Sequence, residues 1–560
     1  MARTVAIGIQ DFQDIREKNC FYIDKTSFIK EWWESEDSVT LITRPRRFGK
    51  TLNLSMIECF FSNKYAGRKD LFEDLLIWEE EYYRQIQGTF PVISLTFASI
   101  KETTFEKAKT QIFQLLENLY RKYRFLLEGD FLDDGEKEYF HNVNVHMKET
   151  TASVALHNLS GYLSRYYHKK VIVLLDEYDT PMQEAYVYGY WQELVEFTRS
   201  LFHVTFKTNP YLERGMMTGI TRVSKESMFS DLNHMKVVTT TSKEYASAFG
   251  FTEKEVFQAL EEQGMNEYKQ EVKRWYDGFV FGDTADIYNP WSVINYLKTG
   301  ELKAYWVNTS SNSLANKLIR EGDTQIKRVM EDLLAGKALY INMDEQIIFN
   351  QLDCSVSAVW SLFLASGYLK ATEHTLDAKY GVEYYRLEIT NFEVKVMFQT
   401  MISQWFQSKG SSYNDFVKAL LAGDKKAMNA YMNQVSLTTF SYFDTGNTPS
   451  FNAPERFYHG FVLGLMVDLQ EKYRITSNRE SGFGRYDVML EPLQENLDAI
   501  IIEFKVHDEE EEKSLADTVQ AALKQIAEKE YDSSLTSKGI RKEHIRHYGF
   551  AFQGKRVLIG

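Results

Sequence analysis

The sequence predicts an α/β protein built from more than one domain, and three stretches carry the prediction. Leu41 to Leu54 (L-I-T-R-P-R-R-F-G-K-T-L-N-L) passes from an apolar run through a tight basic turn into a helical pattern. Lys169 to Asp179 (K-K-V-I-V-L-L-D-E-Y-D) holds a core of consecutive apolar residues and ends in carboxylates. Ala499 to Val506 (A-I-I-I-E-F-K-V) is also strand-sized and apolar, yet it carries a carboxylate and an ammonium. Short apolar runs that stop at polar residues are the signature of strands buried on both faces of a sheet.

Length and composition set the frame. At 560 residues the chain exceeds one core, and a prior of roughly 150 residues per domain gives three or four. Hydrophobic content of 44% and charged content of 26% match a globular protein rather than a disordered one. The strongest apolar runs, Val171 to Leu175 and Phe461 to Val467, are core-sized and too short for a membrane span. The start, M-A-R-T-V-A-I-G-I-Q-D, lacks the apolar region and cleavage site of a signal peptide, so we expect a cytoplasmic protein with no membrane partner. Cys20, Cys59 and Cys354 are too far apart for a zinc-ligand spacing or a disulfide framework. A net charge of −14 argues against a surface coated for nonspecific nucleic-acid binding, though not against a local basic groove.

In the first stretch, Val39, Leu41 and Ile42 feed the turn Arg44-Pro45-Arg46-Arg47, and a helix opens at Gly49-Lys50-Thr51. The unpaired N–H groups at such a helix start favour an anionic phosphate. Arg46, Arg47, Phe48 and Gly49 would line the loop, Lys50 would reach the β- and γ-phosphates of ATP, and the Thr51 hydroxyl would ligate Mg²⁺. The pattern G-x-x-x-x-G-K-[ST] has its first glycine where this chain has Arg44. The triplet alone also reads as a helix N-terminus with a surface lysine.

Phe90 to Phe97 reads as a strand, followed by a mainly helical stretch to about Leu163. The strand that ends at Asp176-Glu177 would emerge at the same sheet edge as the loop, because ligands of open parallel sheets bind beyond the strands' carboxyl ends. There Asp176 can hold the Mg²⁺ shell opposite Thr51, and Glu177 can orient or deprotonate water. Taken alone, the pair is an ordinary helix cap. Gly215 to Ile220 gives a further strand ending in T-G-I-T-R, where Thr218 or Thr221 is placed as a polar sensor and Arg222 near a γ-phosphate, in cis or from a neighbouring subunit, each reading equally as a turn residue. His234 to Thr241 completes about five strands. Tyr22, Asp24 and Lys25, before the loop, are candidates to cover an adenine, or simply cap a short helix.

The expected segmentation is a phosphate-loop domain over 1–245, a helical lid over 246–345, a mixed, mainly helical region over 346–440 and a second α/β domain over 441–560. Thr252 to Glu255 forms a capping box, while W-Y-D-G-F (Trp275 to Phe279) and Y-N-P-W-S (Tyr288 to Ser292) read as turns flanked by packing aromatics. In the last segment, alternation along Ala499 to Val506 puts Glu503 and Lys505 on one face. With Asp487 on a neighbouring strand, Glu503 would bind Mg²⁺, and Lys505 would polarise water or a scissile phosphate. A salt bridge at a strand end is the bland alternative. Gln525, on the helix that follows, can hold a water or phosphate oxygen.

These motifs together are familiar. Y-I-D-K-T, T-R-P-R-R-F-G-K-T-L, L-L-D-E-Y-D-T-P, T-G-I-T-R, W-Y-D-G-F and Y-N-P-W-S, then E-R-F-Y-H-G, G-R-Y-D and E-F-K, resemble a bacterial AAA-ATPase-like family whose members end in a PD-(D/E)XK nuclease superfamily domain. The resemblance implies an additional-strand P-loop NTPase core joined to a restriction-endonuclease-like α/β domain. It implies Lys50, Thr51, Asp176 and Glu177 as ATPase residues, and Asp487, Glu503 and Lys505 as nuclease residues, with Glu455 and Gln525 accessory. It also makes Arg44 a habit of the family. We therefore expect an ATP-hydrolysing protein whose nucleotide state controls a Mg²⁺-dependent nuclease acting on DNA or RNA, with a homo-oligomer as a further expectation. The rival is a nucleotide-dependent switch or scaffold whose nuclease-like domain recognises without cutting. A small-molecule kinase would use the same loop but lacks an evident acceptor site.

Overall fold

A computed structural model of the chain describes residues 3–221, 234–306, 313–322, 324–343, 352, 355–377, 379–405, 413–433, 453–481, 484–494, 496–508, 512–553 and 556–560. The chain forms two compact units, Met1–Ser310 with Ala338–Val394, and Ser311–Lys337 with Lys395–Gly560. Neither unit is a single continuous stretch of sequence.

The first unit is organised by strands β1 (Val39–Thr43), β2 (Val92–Thr96), β3 (Val171–Asp176), β4 (Leu212–Gly219) and β5 (Met235–Val238). They form one sheet in the order β2-β3-β4-β1-β5, with every neighbouring pair parallel. Every residue of β1 and β3 is buried, as their unbroken apolar runs require. Register brings Thr43 level with Gly219 and Thr96 level with Asp176, so the phosphate loop, the acidic pair and the end of β4 leave the sheet at one edge. β4 separates the loop strand from the acidic strand, which sets its last residues between the two.

Short strands β6 (Phe251–Thr252), β7 (Phe279–Phe281) and β8 (Thr284–Tyr288) form a second small sheet among the helices Glu253–Glu262, Lys269–Tyr276 and Pro290–Thr299. The Thr252 and Glu255 capping box closes the first of these helices. Tyr276 and Tyr288 of the two turn motifs are packing residues, sharing a core with Tyr296, Val256, Val272 and Val293. Gly278 lies at φ 117°, and a Cβ there would collide with the Thr390 carbonyl, so the turn requires glycine. Strands β9 (Leu339–Asn342), β10 (Leu369–Asp377) and β11 (Val382–Ile389) make an antiparallel sheet in the order β10-β11-β9.

The second unit contains β12 (Tyr473–Ser481), β13 (Gly484–Pro492), β14 (Ala499–Val506), β15 (Ile545–Gln553) and β16 (Arg556–Ile559), in sequential order across the sheet. Only β14 and β15 run parallel. Alternation along β14 sends Ile501 to the face packed by Ile526 and Tyr531, while Phe504 meets Phe461 of the helix Ala453–Leu469 on the other. The helix Thr324–Leu334 belongs to this unit, and its Glu331 accepts a hydrogen bond from Ser477 of β12. At the far edge, Asn429 and Asn433 pair with the main chain of β16. Asn429 gives and takes bonds at Ile559, both 2.8 Å, and Asn433 does the same at Val557, 2.7 and 3.0 Å. No helix among the described residues is long and apolar enough to cross a membrane.

Candidate functional site

At the edge where β1, β3 and β4 end, two threonines hold one aspartate. Thr51 Oγ1 donates to Asp176 Oδ2 at 2.7 Å, and Thr218 Oγ1 donates to Asp176 Oδ1 at 2.5 Å. Burial raises the Asp176 pKa above the usual carboxylate range, and both hydroxyls oppose the rise. Of the two threonines expected as a sensor, Thr218 touches Asp176, whereas the Thr221 hydroxyl donates to Asp179. Arg222 lies outside the described residues.

Lys50 is buried beneath the loop, where its ammonium donates to the carbonyls of Arg44 (2.9 Å) and Pro45 (2.8 Å). Burial lowers its pKa, with Glu177, Asp176 and Asp179 pulling the other way. The helix Lys50–Phe61 begins after Gly49 at φ 78°, a conformation glycine adopts without cost. Arg47 reaches a left-handed φ of 65° without that freedom, and its guanidinium stacks 4.4 Å from the Trp291 ring. Arg46 donates to Gln183 Oε1 at 2.9 Å, and Trp306 Nε1 donates to the Arg46 carbonyl. The Phe48 ring is buried against Phe279 and Phe281, so what it can offer a ligand is main chain.

Arg44 answers the question raised by the absent glycine. Its φ is not positive, so the position makes no demand that glycine alone meets. Its side chain is fully buried, donating to the carbonyls of Thr43, Thr239 and Glu244 and stacking 4.5 Å from Phe281. It fastens the start of the loop to the segment after β5 rather than adding charge to the loop's mouth. The lead-in residues are also structural: Lys25 pairs with Glu255 at 2.7 Å, Asp24 caps Thr26 and Leu76, and Tyr22 is held against Met56.

Glu177, next to Asp176, adopts φ 49°. Non-glycine residues in this region store strain, which gathers at functional sites. Its Oε2 accepts from Thr180 at 3.1 Å. Asp179 is 1% exposed, and its Oδ2 accepts from the N–H groups of Ile220 (3.0 Å) and Thr221 (2.9 Å) as well as from the Thr221 hydroxyl (2.8 Å). The carboxylate and hydroxyl oxygens of Asp176, Glu177 and Thr51 are the hard donors that suit Mg²⁺.

The second unit brings together Asp487, Glu503 and Gln525. Asp487 Oδ2 accepts from the Phe504 N–H at 2.7 Å, locking β13 against β14. Glu503 is 3% exposed, with Oε1 accepting from Gln525 and Oε2 buried without a hydrogen-bond partner among the described residues. Burial, then the charge of Asp487, pushes the Glu503 carboxyl up to about 8. A buried carboxylate oxygen beside a second carboxylate is what a divalent cation would satisfy, so the donor set fits Mg²⁺. Lys505 follows on the same strand face, half-buried and level with Ala551. Gln525 also donates to the Tyr531 hydroxyl at 3.1 Å, which fixes its amide. Glu455 lies on the helix Ala453–Leu469, with its side chain outside what the structure describes.

Comparison with known proteins bears on both regions. Residues 6–229 match a family model described as predicted AAA-ATPase, and residues 453–560 match the PD-(D/E)XK nuclease superfamily. The chain carries an AAA-ATPase-like domain and a PD-(D/E)XK nuclease superfamily domain. Over its full length it is similar, at 24% identity, to an uncharacterized protein in the vnfD 5′ region of Azotobacter chroococcum mcd 1, covering 98% of that protein. The AAA-ATPase-like match spans the phosphate loop and the Asp176-Glu177 strand, and the nuclease-superfamily match spans Asp487, Glu503 and Lys505.

One further acidic group lies apart from the Asp176-Glu177 pair and from Asp487 and Glu503. Glu253, Asp277 and Asp286 each bring a carboxylate oxygen within 4.8 Å of the others, a grouping that could coordinate a metal ion. Lys273 pairs with Glu253 and lies 3.8 Å from Asp277 and 3.5 Å from Asp286. Its residues come from three separate elements, which is why no local pattern announces it.

Proposed function

We propose that this protein hydrolyses ATP at the edge of the parallel sheet, and that its nucleotide state controls a Mg²⁺-dependent phosphodiesterase in the C-terminal domain. The observation that carries the first part is Asp176 held by both Thr51 and Thr218, with Glu177 beside it and Lys50 beneath the loop. ATP would draw the Lys50 ammonium from two loop carbonyls to its phosphates, a charged acceptor being the stronger one. Thr51 and Asp176 would hold Mg²⁺, which neutralises the charge developing on the phosphoryl oxygens. Glu177 would take a proton from the attacking water as its oxygen bonds to the γ-phosphorus and the bridging oxygen leaves on ADP. Purified protein should hydrolyse ATP, and Lys50→Ala or Glu177→Gln should reduce kcat by about 100-fold or more. Wild-type rates in both variants would dismiss the assignment.

In the C-terminal domain, Asp487 and Glu503 would hold the metal, Lys505 would orient water or polarise the scissile phosphate of DNA or RNA, and Gln525 would steady Glu503. Cleavage that survives Glu503→Ala and Lys505→Ala would belong to another site or protein. The competing reading, a switch that recognises without cutting, draws on the acidic residues after β14. Asp508 is exposed and Glu512 is held by Thr518 at 2.5 Å, a local charge that repels a nucleic-acid backbone. Calorimetric Mg²⁺ titration of wild type against Asp487→Ala separates the two, because only the cutting reading requires a bound metal there. A cytoplasmic setting and a homo-oligomer, with an arginine supplied in cis or from a neighbouring subunit, complete the proposal.

A further inference from the structure

Gln183 joins the phosphate loop to the end of β4 through one amide. Its Oε1 accepts from Arg46 Nη2 at 2.9 Å, and its Nε2 donates to Asp179 Oδ2 at 3.2 Å. That same Asp179 oxygen takes the N–H of Ile220, the N–H of Thr221 and the Thr221 hydroxyl. The other oxygen, Oδ1, is buried without a hydrogen-bond partner among the described residues, which leaves Asp179 dependent on the Oδ2 side. Gly219 allows the close approach: a Cβ there would stand 2.7 Å from both Asp179 Oδ1 and the Tyr178 ring. Arg46, at the far end, lies near enough to Lys50 for its charge to lower the ammonium's pKa.

We propose that Gln183 is a positioning residue that holds the Arg46 guanidinium for the nucleotide's phosphates and links its release to the end of β4. The proposal rests on the ATP-hydrolysing reading. A neutral amide suits the task, because it orients a guanidinium yet gives it up to a phosphate, whose charge-assisted bonds are roughly twice as strong. A carboxylate in its place would keep the arginine. When Arg46 turns to the nucleotide, the Gln183 amide loses its acceptor role and the Asp179–Thr221 contacts are the ones left to readjust. Thr218, which bonds Asp176, lies three residues before Thr221 on the same chain segment.

The test uses the full chain, a fluorescent ATP analogue with Mg²⁺, steady-state ATP hydrolysis and thermal melts. Gln183→Glu should weaken analogue binding about tenfold, an effect that added salt relieves and that Arg46→Ala abolishes in the double variant. Gln183→Leu should leave Kd within about threefold while lowering kcat about tenfold. Wild-type binding and kcat in both variants would overturn the proposal, as would parallel losses in both that track a lowered Tm and ignore salt. If wild type binds the analogue but Gln183→Glu behaves as wild type, the relay alone fails. Should wild type neither bind nor hydrolyse ATP, the ATPase reading falls and takes the relay with it.

Discussion

Arg44 replaces a flexible residue with an anchored one, and the exchange has a stability consequence. Removing its side chain takes the guanidinium donors from the carbonyls of Thr239 and Glu244, leaving Thr239 with the Ser242 N–H, and empties a fully buried position. Arg44→Ala should therefore cost about 2–4 kcal/mol in urea denaturation, whereas Arg47→Ala, at an exposed position, should stay within about 0.5 kcal/mol. Equal effects would mean that the buried bonds contribute nothing. Asp277 makes a second prediction at this scale. Burial and a hydrogen bond with Asp286 push its carboxyl up to about 7, among Glu253, Lys273 and Tyr288. The folded chain then keeps a proton that the unfolded chain loses near a pH of about 4. The stabilising contribution is complete below that value and is lost as pH rises through about 7. Asp277→Asn, which does not titrate, should gain on wild type between about pH 4 and pH 7, by about 3 kcal/mol. A difference that stays constant with pH would assign the proton to another group.

At the scale of elements, the carboxyl ends of β3 and β4 touch so closely that no side chain fits between them. Gly219→Ala would drive a methyl group into Asp179 and Tyr178, both of them buried. Overpacking of this kind costs about 1–3 kcal/mol. The variant should lose ATP hydrolysis more steeply than ATP-analogue binding, and equal losses would show that the close approach serves packing alone. This sheet was largely legible in advance. Its strands announce themselves through unbroken apolar runs, and the acidic pair Asp176-Glu177 stands at the end of one of them. Gln183, on the helix Thr180–Tyr188, reads in sequence as any half-buried glutamine, and only the fold sets Arg46 beside it. The cluster of Glu253, Asp277 and Asp286 was hidden for the same reason, although its aspartate stands in a motif noticed for its aromatics.

For the whole molecule, the decisive fact is that chain order and compact units disagree. Residues 311–337 lie in sequence between the two stretches of the first unit, Met1–Ser310 and Ala338–Val394, but cluster with the second unit. Ile326, Met330 and Leu333 of that stretch are buried. Burial of such side chains contributes about 1.5–3 kcal/mol each, against a typical domain stability of about 5–15 kcal/mol. A fragment spanning 395–560 should thus melt at least 10 °C lower than the corresponding transition of the full chain, or show no cooperative melt by circular dichroism, on the order of the loss just estimated. A fragment as stable as the full chain would show that the helix Thr324–Leu334 is dispensable. Local patterning had no means of assigning that helix, since its amphipathic face states that something must cover it and not what.

The two asparagines beside β16 have a further consequence, for how this protein behaves in company. An open strand edge is a row of unpaired donors and acceptors, the template on which foreign strands add and aggregates grow. Here Asn429 and Asn433 occupy the outward-facing main chain of Val557 and Ile559, so their amides stand in for the missing neighbour. Among the described residues, two side chains rather than another strand cover that side of the C-terminal sheet, and a peptide seeking to join it by strand addition would have to displace both amides from β16.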